Sequence, residues 1–418
     1  MVRPPRPRRK ACARMACPLP RSRGCRAKMA EQTSPAMPRG RSVWSLLLAA
    51  TAPNPGALHL PVVGGEQLDE PCSRDFLALA FRHRLPGLAM AGLAELDVRL
   101  TPSAAADLRT AALRDAMMVT RLTARMFTLL DAFAAAGIPA RVLKGPPVAA
   151  LAYAGGAGLR HLRDIDLLVP ERWFEPAHRI ILGQGFRTLL DIGRLTVAEL
   201  PRFAHELPYV DEAGCIVELH AARSAHGRGG GQADGFDGDA GSMLPVTGRD
   251  VPVDPPAEIF VHLCRHGASH AWTLLKWLAD ISHLIAAAPD VLDWDVIAAR
   301  TRRSASQRHV GLALALARDL HGVTPPAALA EFIDTLPPGL AQGLAAGLSD
   351  PGKGGPTPIQ MARLEVVLAS GLGAKAAAIR DFVFAPTIQD ARDWPLPRGL
   401  LWAARPALYV LRRRRAPA

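Results

Sequence analysis

Apolar residues recur at intervals of three and four over most of this chain, the spacing of helices that bury one face. The pattern predicts helices over 41–52 and 74–100 and a long helix from Ala104 to Ala136. The inner stripe of that helix would hold Leu108, Leu113, Met117, Leu122, Met126 and Phe133, and Gly137 would close it. The period then changes. Ile138 to Leu143 reads as a first strand, 147–153 as a helix whose first turn tolerates proline, and 164–169 as a second strand stopped by Pro170. A helix over 171–184 and a strand over 186–189 follow. Two apolar runs then meet at Asp211-Glu212-Ala213-Gly214 as a hairpin. In its second arm Cys215, Val217 and Leu219 share one face, and Ile216, Glu218 and His220 share the other.

After Pro256 the helical period returns. EIFVHLCRHGASHAWTLLKWLADISHLIAAA predicts two helices broken near Gly267, and further helices follow over 295–321, 326–347 and 358–383. The apolar end from Trp394 to Val410 is interrupted by prolines and reads as a packed tail. Helices and strands alternating in a short span, with helices on either side, give an α+β class: a small mixed sheet flanked by N-terminal helices and a C-terminal helical domain. The expected divisions are a disordered basic extension over 1–40, an N-terminal helical region over 41–137 and a sheet core over 138–222. A mobile Gly-rich loop over 223–245, a helical domain over 246–348, a linker over 349–357 and a C-terminal helix with basic tail over 358–418 complete them.

The formal charge of +12 changes meaning once it is located. Residues 1–41 hold twelve Lys/Arg against Glu31 alone, and Arg412 to Arg415 stand near the other end, so the stretch between is slightly acidic. That excludes a basic body built for nucleic acid. The six cysteines have neither zinc-finger nor disulfide-framework spacing, which fits a reducing, cytoplasmic setting. No apolar run approaches the length of a membrane span. VWSLLLAATA after Arg39 and Arg41 imitates a signal peptide, but the run is short and Pro53 follows it. A start site at Met29 or Met37 accounts better for residues 1–36. The terminal arginines read as a solvated tail, with attraction to anionic lipid or nucleic acid as the alternative.

The candidate chemistry sits in RVLKGPPVAALAYAGGAGLRHLRDIDLLV, residues 141–169. Side chains alternate along a strand, so Asp164 and Asp166 project the same way, about 7 Å apart at the backbone. Two carboxylates on one face of an apolar strand repel each other unless a cation lies between them. Glu218, an acid between Val217 and Leu219, lacks a packing reason and is the candidate third carboxylate. Lys144, Arg160 and Arg163 nearby suggest a phosphate-bearing substrate. The plainer alternatives are a solvated strand end for the aspartates and local ion pairs for the arginines.

These residues carry a resemblance. LKG, then R-x-x-R-DIDLLV, then VELH, and finally HLCRHGASHAWTLLKWLADI resemble an uncharacterised bacterial branch of nucleotidyltransferase-family proteins in the DNA polymerase beta superfamily. The resemblance implies that Asp164, Asp166 and Glu218 hold two magnesium ions, with manganese as a substitute, for transfer of an NMP group from an NTP. It leaves the small-molecule, sugar or peptide acceptor undefined. Lys144, Gly145, Arg160 and Arg163 would bind the nucleotide, and His220, His262, His266 and Lys276 would line the cleft. The superfamily's Gly-Ser pair at the helix start is replaced here by Lys144-Gly145-Pro146.

Two other readings stand beside it. The missing serine admits an inactive or antitoxin-like nucleotide-sensing module. His262, His266 and His270, spaced by four, admit a zinc hydrolase, although Leu263 stands where a zinc peptidase places its glutamate. Lys276 and Asp280, also four apart, would form an intrahelical pair or reach the cleft.

Overall fold

The computed structural model describes residues 43–415 apart from 59–64, 154–155, 194, 205, 223–240, 288–290, 351–354 and 395. The expected basic extension and start-site alternatives, most of the Gly-rich loop and part of the 349–357 linker lie outside the described residues.

Helices α1 (Val43–Thr51), α2 (Glu70–Arg82), α3 (Pro86–Glu95) and α4 (Pro102–Ala135) precede the sheet. The helical stretch expected over 74–100 is two helices, α2 and α3, broken at His83–Leu85, with Arg84 at a positive φ of 59°. Asp69 caps α2 by accepting from Cys72 N–H. In α4 Leu122, Met126 and Phe133 are fully buried, whereas Leu113 and Met117, expected in the same stripe, are exposed. The buried residues, from Ala104 and Leu108 through Val119, Leu122 and Met126 to Phe133, keep to one face along the helix, and at 3.6 residues per turn Leu113 and Met117 fall on the opposite side.

The sheet has seven strands: β1 (Arg141–Val142), β2 (Asp164–Pro170), β3 (Arg187–Thr188), β4 (Glu206–Val210), β5 (Ile216–Ala222), β6 (Ser242–Val246) and β7 (Arg249–Val253). Their order is β3-β4-β5-β2-β1-β7-β6. β2 runs parallel to β5 and antiparallel to β1, while β7 runs parallel to β1, so the sheet is mixed. The strand expected over 138–143 shrinks to two residues, and the β6–β7 hairpin extends the sheet where the pattern assigned no strand. β2 lies near the centre, which explains its almost continuous apolar run: every residue after Asp164 is buried.

Helices α5 (Pro146–Ala152) and α6 (Phe174–Gly183) interleave with the strands. After β7 come α7 (Pro256–Ser269), α8 (Leu275–Ala287), α9 (Trp294–Arg303) and α10 (Gln307–His321). Then follow α11 (Ala327–Asp334), α12 (Leu340–Ser349), α13 (Pro358–Leu368), α14 (Gly371–Phe384), α15 (Ile388–Asp393) and α16 (Arg398–Arg415). The break expected near Gly267 falls after Ser269 instead. Gly267 lies inside α7, where a Cβ would come within 2.5 Å of the buried Trp272 ring. The turn between α7 and α8 puts both Ala271 and Trp272 at a φ of 50°. The apolar end expected as a packed tail is helical: α16 runs through Pro406 to Arg415 and buries Leu401 and Leu408.

Candidate active site

Register builds the site. In the parallel β2–β5 pair Asp164 stands opposite Ile216, Asp166 opposite Glu218, and Leu168 opposite His220. Period two sends Ile165, Leu167, Val217 and Leu219 into the apolar side, where all are fully buried. It sends Asp164, Asp166, Glu218 and His220 to the other side. β4 adds Glu206, opposite His220 across an antiparallel pair.

The segment after β1 completes the cluster. Leu143 N–H donates to the Asp166 carbonyl at 3.0 Å, which carries Lys144 across the aspartate side chain. Lys144 Nζ lies 2.8 Å from Asp166 Oδ1. Gly145 then turns with φ 89° and ψ −130°, a conformation that L side chains rarely adopt, and Pro146 and Pro147 open α5. Those prolines remove two backbone donors from the helix start, so an anion there finds fewer amides than usual.

Asp166 is wholly buried. Burial opposes its charge, but Lys144 and His220 hold its carboxyl well below the usual range. His220 Nε2 lies 3.1 Å from Asp166 Oδ1 and 3.9 Å from Glu206 Oε2. Burial works against the Lys144 ammonium too, yet Asp166, Asp164 and Glu218 push its pKa up to about 12. Glu218 has the opposite fate: burial first, then the carboxylates of Asp166 and Glu206, raise it well above an ordinary glutamate. One lysine does not balance so many acids.

Two buried atoms in this cluster, Asp166 Oδ2 and His220 Nδ1, have no hydrogen-bond partner. Ligand atoms of Asp166, Glu218 and His220 all lie within 4.8 Å of one another. Two carboxylates, one with an orphaned oxygen, beside an imidazole suit a divalent cation. Asp164, half-buried, stands two residues ahead on the same face, outside that trio.

The other predicted residues separate into two groups. Arg160 is buried, donating through Nε and Nη2 to the two Asp280 oxygens, each at 2.8 Å, and through Nη1 to the Gly145 carbonyl at 3.4 Å. Tyr153 donates its hydroxyl to Asp280 Oδ1 at 2.8 Å. Asp280 thus pairs with Arg160 instead of with Lys276, and α8 is pinned to the loop before β2. Arg163 is exposed beside Asp164. Lys276 is half-buried, and its pKa falls to about 8, through burial and then the Arg160 charge.

His262 and His266 of α7 have ring centroids 6.1 Å apart, and both feel the charges of Lys144 and Asp166. Burial, then the Lys144 charge, lowers His262 to about 4 and takes His266 well below its ordinary value. His270 is exposed and stacks on Trp277 at 4.8 Å. Among the described residues these three histidines do not gather their nitrogens into a metal-ligand set. Sequence reading missed Arg84, in the turn between α2 and α3. Its charge acts on Arg163, Lys276 and His270 and is favoured by Asp164. Nothing in the local pattern marks it.

A family model described as "Uncharacterised nucleotidyltransferase" matches residues 71–322, which include every residue above. No curated protein matches the chain. Among solved structures, the antibiotic-resistance factor ANT(2'')-Ia is similar at 18% identity over 47% of this chain and 97% of its own, with a TM-score of 0.32.

Proposed function

We propose, for a chain that belongs to the uncharacterised nucleotidyltransferase family, that it moves an NMP group from a magnesium-bound NTP to a hydroxyl or phosphate of a small-molecule, sugar or peptide acceptor. The observation that carries this reading is the pairing of Asp166 with Glu218 on adjacent parallel strands, with an oxygen of Asp166 left unpartnered. Asp166, Glu218 and His220 would hold the cation, with Asp164 reaching it from the open side. Magnesium bound there supplies charge neutralisation at the phosphates and lowers the pKa of an acceptor hydroxyl.

The chain's own residues then divide the remaining work. Lys144 keeps its charge and lies beside the carboxylates, where it meets a triphosphate oxygen without help from a helix-start serine. Arg84, Arg163 and Lys276 form a cationic rim that offsets charge on the departing pyrophosphate. Arg160 does not touch substrate in this scheme. It fixes the Gly145 carbonyl, and with it the turn that carries Lys144. His262 and His266, kept neutral by burial, donate or accept hydrogen bonds over the cleft without adding charge.

The test uses purified protein, each NTP labelled at the α-phosphate, magnesium or manganese, and a pool of cell metabolites as acceptors. Label transfer and pyrophosphate release are expected, with Asp166→Asn and Glu218→Gln each at least about a thousandfold slower. Calorimetry should show Mg-NTP binding weakened in both. Turnover and binding unchanged in the variants would remove the reading. Tight NTP binding without pyrophosphate release from any acceptor pool would favour a nucleotide-sensing module.

A further inference from the structure

Helix α14 has no buried side chain. Leu372, Ile379 and Phe382, which fall on one face at helical spacing, are 87%, 51% and 40% exposed. Lys375 belongs to the same arc. A helix of this length is marginal in water on its own and normally persists by burying its apolar stripe.

Helix α16, against which α14 packs, shows the contrast within a single element. Its inner face buries Leu401 and Leu408 with Ala391, and Leu195 and Phe203 pack against them. Arg405 reaches Asp390 at 3.0 Å. Its outer face carries Leu400, Ala403, Ala407, Val410 and Leu411, all exposed. The helix then ends in four consecutive arginines, and residues 355–418 hold ten Lys/Arg against four Asp/Glu. This region lies beyond the residues that match the family model. Among the described residues no helix is long and apolar enough to cross a membrane.

We propose that α14 and the outer face of α16 dock on an anionic lipid surface, with the leucine and phenylalanine side chains at the headgroup–acyl boundary and the charge of the four-arginine run of the sequence adding electrostatic attraction. Apolar stripes flanked by cations lie in the plane of such an interface, and neither element alone anchors firmly. The mostly aliphatic stripes give a nucleic acid little to stack on. A second copy would set one net positive surface against another.

The experiment is co-sedimentation of the full chain with phosphatidylcholine vesicles, with and without phosphatidylserine, at several salt concentrations. Binding is expected to the anionic vesicles and to weaken with salt. Replacing Arg412, Arg413, Arg414 and Arg415 by serine should lower affinity about a hundredfold or more, at roughly fivefold per charge. Leu372→Asp with Ile379→Asp and Phe382→Asp should lower it at least about tenfold at every salt concentration. All three positions are exposed, and unchanged circular dichroism and melting would show that the fold is kept. Wild-type affinity in both variants would assign vesicle binding to the basic residues of 1–41, present in every version, and overturn the proposal. So would equal binding to neutral vesicles, tighter binding to RNA or DNA, or a dimer in sedimentation that the aspartate variant dissociates.

Discussion

Lys144 Nζ lies 2.8 Å from Asp166 Oδ1, and the other oxygen of that buried carboxylate has no partner. The lysine is the counter-ion nearest to a group that cannot be solvated. Lys144→Met should therefore cost about 3 kcal/mol of stability, because it strands a buried charge. Urea denaturation measures this. Saturating magnesium should return much of the loss, while turnover stays low for want of the triphosphate contact.

Glu218 contributes in the other direction. Its folded pKa lies above its unfolded one, so the stability it gives is complete below the ordinary glutamate pKa and is lost as pH rises toward the folded value. Near neutral pH the folded protein must hold on this buried carboxyl a proton that the unfolded chain has released, which is a burden on the metal-free protein. Glu218→Gln is expected to raise stability there by about 1–2 kcal/mol and to flatten that decline. Magnesium should raise the Tm of wild type and leave the variant almost unmoved. A Glu218→Gln variant less stable than wild type in the absence of metal contradicts this account.

Acid should loosen the helical part by a separate route. Leu275 N–H donates to His83 Nδ1 at 3.1 Å, so the ring's proton is on Nε2, which donates to the Leu348 carbonyl at 3.1 Å. A second proton would have to enter at Nδ1 and break the first bond. Burial, then Arg82, lowers His83 to about 4. The unfolded chain takes up the proton first, so stability falls as pH drops from about 6.5 toward 4, by up to about 1.4 kcal/mol per pH unit for this ring. His83→Gln should lessen that slope in denaturation series run across the interval. An unchanged slope would place the acid sensitivity elsewhere, with His262, His266 and His321 among the other rings that burial holds at low pKa.

The Arg160–Asp280 pair is predicted to position rather than to bind. Asp280→Ala leaves a buried guanidinium unpaired and should cost about 3–5 kcal/mol. Tyr153→Phe removes one hydroxyl from the same carboxylate and should cost about 1 kcal/mol. If Arg160 acts through the Gly145 turn, Tyr153→Phe should change kcat modestly and leave KM for the NTP nearly unchanged. A large rise in KM would indicate that the arginine meets the nucleotide directly.

Local pattern was enough for the strands that matter. Period two in DIDLLV and CIVELH already put Asp164 with Asp166, and Glu218 with His220, on polar faces opposite buried valine and leucine, because alternation is a property of any strand. The helix after Lys144, with proline in its first turn, was legible for the same local reason. What the chain could not reveal by itself was which strands are neighbours. Asp166 meets Glu218 because β2 and β5 pair in parallel with one register, a choice made by the whole sheet and its twofold burial. His220 becomes a candidate ligand by that register as well. Arg160 was assigned to phosphate from its position near the aspartates, yet Asp280, 120 residues away, claims it. Arg84 arrives from a turn between helices that carries no signal of its own. Side-chain alternation and turn chemistry are fixed within a few residues, and the sequence by itself determined those. Charge partners are fixed by which distant surfaces exclude water together, and only the tertiary structure decided them.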